Sequence, residues 1–266
     1  MTPLAAAFDL VIFDWAGTMV DFGSRAPVIA LVEAFGALGV TVTEAQARAD
    51  MGLAKKDHVR NMLQAPDVAA AWRGTHGSAP GEDAAEAVMA ALQAPMLKAA
   101  EDCAVLIPGA AETAAALRAA GLKIASSTGY TREMMQAVLA RAEAQGYRPD
   151  HVTCSGETLQ GRPSPLMVYK ACIDLGVWPM SRVVKVDDAE VGVAEGRAAG
   201  CFTVGVAASG NGMGLSQEAF AALDPAERAR RVADSAARLT AAGADMIIES
   251  VADLIPALHA RAGQAA

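Results

Sequence analysis

The stretch FDLVIFDWAGT, residues 8–18, contains a run of apolar and β-branched residues that is followed directly by Asp14. A short run of this kind with an acidic residue at its end is typical of a buried β-strand, so we predict a strand from Phe8 to Phe13 with Asp14 at its carboxyl end. The same pattern predicts four further strands along the chain: Leu122–Thr128, Val183–Asp187, Cys201–Val206 and Met246–Ile248.

Segments with a helical pattern separate these predicted strands. A glycine directly follows each of four such segments, as expected at the C-terminal end of a helix. The predicted helices are Pro108–Ala120, Thr131–Gln145, Pro165–Leu175 and Val191–Ala199. Alternating strands and helices need right-handed crossovers, so the sequence predicts an α/β fold with a parallel sheet covered by helices on both faces. Ligands of such sheets bind at the carboxyl ends of the strands.

The segment from about residue 24 to residue 98 interrupts this alternation, because it has helical periodicity and no convincing strand. Apolar residues recur at helical spacing between Val28 and Leu38, and Thr43 with Gln46 forms a capping-box pattern. An all-helical insert at this position would lie over the carboxyl edge of the sheet and close a site there as a cap domain. The predicted domains are a core of residues 1–22 and 100–266 and a cap of residues 23–99.

The composition limits the function classes. The chain has 266 residues, 53% of them hydrophobic, and its net charge of −8 argues against nucleic acid or an anionic membrane as a partner. No CxxC pattern is present, and the four cysteines are expected to be reduced core residues: Cys103, Cys154, Cys172 and Cys201. The first thirteen residues lack a basic region, and no window reaches about 18 uninterrupted apolar residues. We therefore expect a cytoplasmic protein.

Acidic and hydroxyl groups follow three of the predicted strands. Asp14 ends the first strand, Thr128 and Gly129 close the second, and Asp187 with Asp188 closes the strand that begins at Val183. A single strand-end aspartate is more often a turn or cap residue than a functional one. Because parallel strands end at one edge of the sheet, however, these three positions are expected to converge, which favours a site for a metal and a phosphoryl group.

This order of motifs, with a helical insert after the first, resembles the haloacid dehalogenase superfamily and, within it, the phosphonoacetaldehyde hydrolase family. The resemblance covers nearly all of the chain and is carried by DWAGTMVDFGS (14–24), MGLAKKDHVR (51–60), STGYTREMM (127–135), GRPSP (161–165) and KVDD (185–188). It implies a Rossmann-like core with an inserted all-helical cap domain. It also implies hydrolysis of the carbon–phosphorus bond of phosphonoacetaldehyde, and a homodimer formed through cap helices such as Val28–Leu38.

The resemblance further implies roles for individual residues. Asp14 would attack phosphorus to give an aspartyl phosphate, which needs a divalent cation because two anions otherwise repel each other. Magnesium prefers oxygen ligands, and Asp14, the backbone carbonyl of Ala16 and Asp188 would supply them. Four residues would contact the substrate: Thr128 and Gly129 through the phosphoryl oxygens, Arg162 as a forked cation, and Tyr130 as part of the pocket lining. Without the resemblance, Arg162 would be interpreted as a surface loop residue.

Position 16 separates the possible activities, since phosphatases and mutases of this superfamily usually have a second Asp there to protonate an oxygen leaving group. With Ala16, a phosphate ester would lose proton transfer worth roughly two to four orders of magnitude. Cleavage of a carbon–phosphorus bond instead needs an electron sink, which an imine between Lys55 and the substrate aldehyde provides. The amine must be neutral to attack, so burial is expected to lower the pKa of Lys55.

Met51, Lys55 and His58 are spaced i, i+4 and i+7, which predicts that they share one face of a helix. His58 would then move protons during imine formation, and Met51 would contact the substrate. Lys56 lies about 100° further around the helix and is not expected to reach the nucleophile. A solvated charge cluster is the alternative interpretation of this lysine pair. The remaining histidines, His76, His151 and His259, are expected to be structural.

The fourth motif departs from the superfamily pattern, in which an additional Asp often follows the metal-binding one. Here that neighbourhood is Ala189-Glu190-Val191-Gly192, so Glu190, Asp187 or water could complete the outer metal shell. Two other functions remain open: a phosphatase or phosphoglucomutase-type enzyme acting on a phosphate ester, and a non-catalytic module that binds a phosphoryl ligand. Ala16 and Lys55 argue against the first, and the intact nucleophile and metal set argues against the second.

Overall fold

Six parallel strands form a single sheet in the computed structural model of the chain, which describes residues 3–51 and 53–264. The strand order is β3-β2-β1-β4-β5-β6, which places the first strand near the centre. The strands are β1 (Leu10–Phe13), β2 (Lys123–Thr128), β3 (His151–Cys154), β4 (Val183–Asp187), β5 (Phe202–Val206) and β6 (Met246–Ile248). The predicted α/β class with a parallel sheet is confirmed.

Strand β3 is absent from the sequence prediction. It has four residues, two of which are His151 and Thr153, so it lacks the continuous apolar run that marks the other strands. It lies at the edge of the sheet and pairs only with β2. The five predicted strands are all present, although three begin one or two residues later than predicted.

Thirteen α-helices accompany the sheet in the described residues. Those of the core are α1 (Leu4–Ala7), α7 (Ala110–Ala119), α8 (Arg132–Ala144), α9 (Leu166–Leu175), α10 (Glu190–Ala199), α11 (Gln217–Ala221), α12 (Pro225–Ala242) and α13 (Leu254–Gln264). Short 3-10 turns lie at Met180–Arg182 and Val251–Asp253. Within residues 3–51 and 53–264, no helix combines the length and apolar character that crossing a membrane requires. All four cysteines are free, as predicted.

Both faces of the sheet are covered, because successive residues of β1 point to opposite sides. Leu10 and Ile12 pack in one buried cluster with Val168 of α9. Val11 and Phe13 pack in another cluster, which includes residues of α7 and α13. All four β1 side chains are fully buried. A strand with two apolar faces is what a sheet between two helical layers requires.

The chain between β1 and β2 is helical up to α7. We call residues 26–102 the helical insert; it contains α2 (Ala26–Ala37), α3 (Glu44–Arg48), α4 (Lys55–Gln64), α5 (Pro66–His76) and α6 (Glu82–Asp102). The predicted capping box is present, since Thr43 Oγ1 accepts a hydrogen bond from the backbone N–H of Gln46 and the Gln46 side chain accepts one from Thr43. Helix α6 continues to Asp102, so the predicted domain limit at residue 99 falls inside a helix. The division into two domains stays a prediction.

The prediction that Met51, Lys55 and His58 share one helix face is wrong. Helix α4 begins at Lys55, because the backbone of Ala54 is extended with ψ near 136°, and Met51 lies in a preceding turn. A glycine at position 52 weakens any helix through this segment. Met51, Lys55 and His58 are nevertheless all buried.

Backbone and side-chain hydrogen bonds join the helical insert to the core. The two connecting segments pair with each other, with Asp21 N–H donating to the Val105 carbonyl at 3.1 Å. On α3, the guanidinium of Arg48 donates to the carbonyls of Gly23 at 2.9 Å and Gly214 at 3.1 Å. Gly214 lies in the loop that follows β5, so Arg48 ties the insert to the carboxyl edge of the sheet.

Candidate active site

Three strand ends place acidic and hydroxyl side chains together at the carboxyl edge. Asp14 follows β1, Thr128 is the last residue of β2, and Asp187 is the last residue of β4; β2 and β4 flank β1 on either side. Carboxylate oxygens of Asp14, Asp187 and Asp188 all lie within 4.8 Å of one another. The predicted convergence of Asp14, Thr128 and the Asp187–Asp188 pair at one edge of the sheet is therefore present.

Arg162 extends from the loop between β3 and α9 into this acidic group and is buried. Its Nη2 lies 2.8 Å from Asp14 Oδ1 and donates to the Ser127 carbonyl at 2.6 Å, and its Nε lies 3.2 Å from Glu195 Oε2. Burial alone would lower the pKa of the guanidinium, but Asp187, Asp14 and Glu195 together raise it above its ordinary value. Arg162 is therefore a permanently charged part of the site, and not a surface loop residue.

The two adjacent acids of the fourth motif have different surroundings. Asp187 Oδ2 accepts a hydrogen bond from Lys185 Nζ at 2.6 Å, and Arg162 Nη2 lies 3.4 Å from the same oxygen. Burial disfavours ionisation of Asp187, but these two cations outweigh it and hold its pKa below the usual range. Asp188 accepts hydrogen bonds from Thr18 and from the Asn211 N–H, and forms no ion pair with any of the described residues. Burial and the neighbouring carboxylates raise the pKa of Asp188 well above its usual range.

The charges of the site fit a divalent cation. Among the described residues, four buried carboxylates, those of Asp14, Asp187, Asp188 and Glu195, lie close to the buried cationic side chains of Arg162 and Lys185, and Lys55 lines the same cavity, so the acidic groups outnumber the cationic ones. Burial and Asp187 raise the pKa of Asp14 to about 6. Among the described residues, the Ala16 carbonyl accepts no hydrogen bond and so remains available as an oxygen ligand. Carboxylate and carbonyl oxygens are the donor set that magnesium prefers.

A narrow cavity of about 30 Å³ lies between this edge and the helical insert. Its lining contains every substrate-binding and metal-binding residue predicted from the sequence, together with Lys55: Asp14, Ala16, Met51, Lys55, Thr128, Gly129, Tyr130, Arg162 and Asp188. A larger cavity of about 350 Å³ shares Lys55 and Gly129 with it and is bordered by α6 and α8. The predicted site residues thus face a small space that adjoins a larger one.

Lys55 and Lys56 differ sharply in environment. Lys55 is 8% exposed, and it makes no ion pair with any residue in the described part of the chain. Burial lowers the pKa of its amine to about 8, against the opposing effect of Asp14. The side chain of Lys56 is 45% exposed, and its Nζ lies 2.6 Å from Glu82 Oε1. Lys55 is the lysine that can present a neutral amine to the cavity.

His58 lies one turn further along α4 and is fully buried. Neither ring nitrogen has a hydrogen-bond partner among the described residues, and burial together with Lys55 lowers its pKa to about 3. The ring is therefore neutral at physiological pH. It does not line the cavity, so its predicted role as a proton carrier stays a prediction.

The Thr128 hydroxyl is oriented by a neighbouring backbone group. Its Oγ1 accepts a hydrogen bond from the Tyr130 N–H at 3.1 Å, which leaves the hydroxyl proton available for donation. Helix α8 begins at Arg132, so residues 129–131 separate Thr128 from the helix start. Thr128 can therefore donate to a phosphoryl oxygen from the end of β2.

Several residues of the site were not predicted from the sequence. The charge network around Arg162 contains Ser127, Lys185 and Glu195, and the cavity lining adds Ser24, Pro27, Leu53 and Ala189. Lys185 offered a signal, since it is a charged residue within an otherwise apolar strand and must be paired if buried. Ser127 and Glu195 have ordinary sequence surroundings.

Comparison with known proteins identifies the family to which the chain belongs. A family model for haloacid dehalogenase-like hydrolases matches residues 8–200. Phosphonoacetaldehyde hydrolase of Paraburkholderia phytofirmans is 46% identical over 249 residues, which cover 94% of this chain and 93% of the relative. The chain belongs to the phosphonoacetaldehyde hydrolase family. The namesake of Paraburkholderia xenovorans is 45% identical with the same coverage, and the crystal structure of a phosphonoacetaldehyde hydrolase-like protein from Oleispira antarctica matches with a TM-score of 0.94.

This membership confirms the resemblance predicted from the motifs. The Oleispira antarctica structure is 37% identical in sequence, and the match covers 97% of this chain and 94% of that one. The similarity therefore includes the helical insert as well as the sheet. The chain is a hydrolase of the haloacid dehalogenase type.

Proposed function

We propose that this hydrolase splits the carbon–phosphorus bond of phosphonoacetaldehyde and releases acetaldehyde and phosphate. One observation carries the proposal: a buried lysine without an ion-pair partner in the described residues, Lys55, lines the same cavity as the strand-end carboxylate Asp14. Ala16 leaves the cavity without the acid that an ester leaving group needs. The names of the relatives agree with this activity.

Lys55 would act on the carbon half of the substrate. Its neutral amine attacks the aldehyde carbon, water departs, and the resulting imine carries a proton on nitrogen. When the carbon–phosphorus bond breaks, its electron pair moves into the carbon–carbon bond and neutralises the iminium, which gives an enamine. Protonation of the enamine carbon and hydrolysis of the imine release acetaldehyde. The burial of Lys55 favours this route, because it raises the neutral fraction of the amine at pH 7.

Asp14 would act on the phosphorus half. Its carboxylate attacks phosphorus in line with the departing carbon and becomes an aspartyl phosphate, which water then hydrolyses. Arg162 and Thr128 would hold the phosphoryl oxygens through charge-assisted and hydroxyl hydrogen bonds, and Gly129 would offer its N–H. A magnesium ion held by Asp14, Asp188 and the Ala16 carbonyl would supply screening of the charge between nucleophile and phosphonate.

Removal of divalent cations is expected to abolish activity reversibly. Asp14 and the phosphonate dianion repel each other at contact distance, and the site already has an excess of buried carboxylates. Dialysis against a chelator followed by an acetaldehyde-release assay should show loss of turnover, and added magnesium should restore it. Activity that survives exhaustive chelation would contradict the proposed metal.

The pH dependence of kcat/KM should follow the amine of Lys55. This amine, with a pKa of about 8, is mostly protonated at pH 6.5 and mostly neutral at pH 9, and only the neutral form attacks the aldehyde. We therefore expect kcat/KM to rise roughly tenfold per pH unit below pH 8 and to level off above it. A profile that is flat between pH 7 and 9 would argue against a titrating nucleophilic lysine.

A side-by-side assay distinguishes the proposed activity from a phosphatase. Phosphonoacetaldehyde and p-nitrophenyl phosphate are supplied at equal concentrations, and acetaldehyde, nitrophenol and phosphate are measured. We expect efficient release of acetaldehyde with phosphate and only slow hydrolysis of the ester, since no residue at position 16 can protonate its leaving oxygen. The opposite ranking of substrates would favour the phosphatase or phosphoglucomutase-type alternative.

Met51 and Tyr130 line the cavity and are proposed to shape the substrate pocket, with His58 as a neutral base behind Lys55.

We also propose a cytoplasmic location, which four free cysteines favour, and a homodimer. The resemblance implies a dimer through cap helices such as Val28–Leu38; in that segment Leu31 and Phe35 are buried within the chain, whereas Ile29 is 41% exposed. Light scattering of the purified chain tests this assembly.

A further inference from the structure

Gly192, in the first turn of α10, lies directly against the carboxylate of Asp187. A Cβ atom at position 192 would lie 2.0 Å from Asp187 Oδ2, 2.1 Å from Cγ and 2.3 Å from Oδ1. Non-bonded atoms are ordinarily about 3.5–4.0 Å apart, so no side chain at this position is compatible with the observed Asp187 rotamer. The carboxylate of Asp187 occupies the space that a side chain at 192 would take.

From this position Asp187 connects to the nucleophile through one intermediate. Its Oδ1 accepts from the Ala189 N–H at 3.1 Å, while Oδ2 accepts from Lys185 and lies 3.4 Å from Arg162 Nη2. The same Nη2 lies 2.8 Å from Asp14 Oδ1. Nη2 of the Arg162 guanidinium is thus held between two carboxylates, one of which is proposed to react.

Arg162 keeps one terminal nitrogen uncommitted. Its Nη2 contacts Asp14, Asp187 and Ser127, and its buried Nε lies 3.2 Å from Glu195 Oε2 without forming a hydrogen bond, whereas Nη1 makes no hydrogen bond within the described segments of the chain. Because Arg162 lines the cavity, the orientation of its planar fork decides whether Nη1 can reach a bound oxyanion. The carboxylates that fix the fork therefore control anion binding.

We propose that Asp187 is a positioning residue that orients Arg162 toward the phosphoryl group. We also propose that glycine is required at position 192 because a side chain there would displace the Asp187 carboxylate from its observed position. Positions 187 and 192 therefore form a coupled pair. The inference rests on the proposed function in one respect, the assignment of Arg162 to the phosphoryl group. Glu190, the other acid of this segment, is 44% exposed in its side chain and pairs with Arg238 at 3.4 Å, so it takes no part.

The coupling can be read from binding of inorganic phosphate, measured by titration calorimetry in the presence of magnesium. We expect Asp187→Asn and Gly192→Ala each to weaken phosphate affinity roughly 10- to 100-fold, as substitutions of residues that orient ligating groups commonly do. Gly192→Ala should cost little when introduced into an Asp187→Ala background, because the clashing carboxylate is gone. Glu190→Gln, a matched change two residues before Gly192, should leave affinity unchanged.

A second cycle separates positioning from a merely structural role. In an Arg162→Met background, Asp187→Asn should produce no further loss of phosphate affinity, because its effect passes through Arg162. Asp187→Asn alone could destabilise the fold, because it leaves the buried Lys185 without its charged partner. The double variant Asp187→Ala with Lys185→Met removes both partners of this pair and is expected to fold, which its thermal unfolding midpoint verifies. The proposal is overturned if Asp187→Asn binds phosphate like the wild type, or if its effect and that of Arg162→Met simply multiply. Phosphate binding is read independently of acetaldehyde release, so failure of the proposed reaction is seen separately.

Discussion

Asp14→Asn should lower turnover of phosphonoacetaldehyde by roughly 10⁴-fold or more while the protein remains folded. The amide oxygen of Asn cannot form an acyl phosphate, so the phosphorus atom loses its nucleophile. The fold should tolerate the change, because the Asn Oδ1 can still accept the hydrogen bond from Arg162 and one charge is removed from a site with an excess of buried carboxylates. Phosphate and acetaldehyde release measure activity, and the thermal unfolding midpoint measures integrity.

A matched control is available at the opposite end of β1. Asp9 precedes the amino end of β1, and its half-exposed side chain pairs with Arg182 away from the cavity. Asp9→Asn should therefore keep near-normal turnover. Near-normal phosphate release by Asp14→Asn, or an equal loss in both variants, would show that Asp14 is not the nucleophile.

Lys55→Arg should abolish carbon–phosphorus cleavage, with a loss of several orders of magnitude in kcat. Arginine keeps a positive charge of similar reach, but its guanidinium does not deprotonate in proteins and cannot form the imine. The control is Lys56→Arg, since Lys56 is exposed, pairs with Glu82 and does not line the narrow cavity that contains Asp14. We expect that variant to retain activity.

Borohydride trapping tests the covalent step directly. Reduction during turnover should convert the imine to a stable secondary amine and leave a permanent mass increase, which peptide mapping should locate on Lys55. An adduct on Lys56, or comparable hydrolysis of phosphonoacetaldehyde by Lys55→Arg, would show that the lysine assignment is wrong. If no lysine is trapped and p-nitrophenyl phosphate is the better substrate, the phosphatase alternative replaces the proposed reaction.

The sheet was predictable because its buried strands are short apolar runs between helices that end at glycines. The exception, β3, shows where this signal ends: an edge strand with His151 and Thr153 in four residues has no apolar run to detect. The prediction that one helix contains both Met51 and Lys55 was wrong for a different reason. Spacing alone does not reveal that the backbone turns at Ala54 and restarts the helix at Lys55.

The candidate site was predictable to the extent that its residues lie in strand-end motifs. Asp14, Thr128 and Asp188 follow strands, and parallel topology brings such ends together whatever the details of packing. The charges that hold Arg162 were not predictable, because Glu195 on α10 resembles any helical surface acid until the fold buries it. The close approach of the Asp187 carboxylate to Gly192 was not predictable either, because the two residues are five positions apart and only the folded backbone brings them together.

The two halves of the cavity have separate origins in the chain. Asp14, Thr128, Arg162 and Asp188 belong to the strand ends and loops of the sheet, whereas Lys55 begins a helix of the insert. The sheet therefore supplies the groups that act on phosphorus, and the insert supplies the amine that acts on the carbon half of the substrate. Because Ala16 belongs to the core, a change from a carbon to an ester-oxygen leaving group would need an acid at position 16 as well as another insert between residues 26 and 102, so both natural divergence and protein engineering would have to alter two separate parts of the chain together.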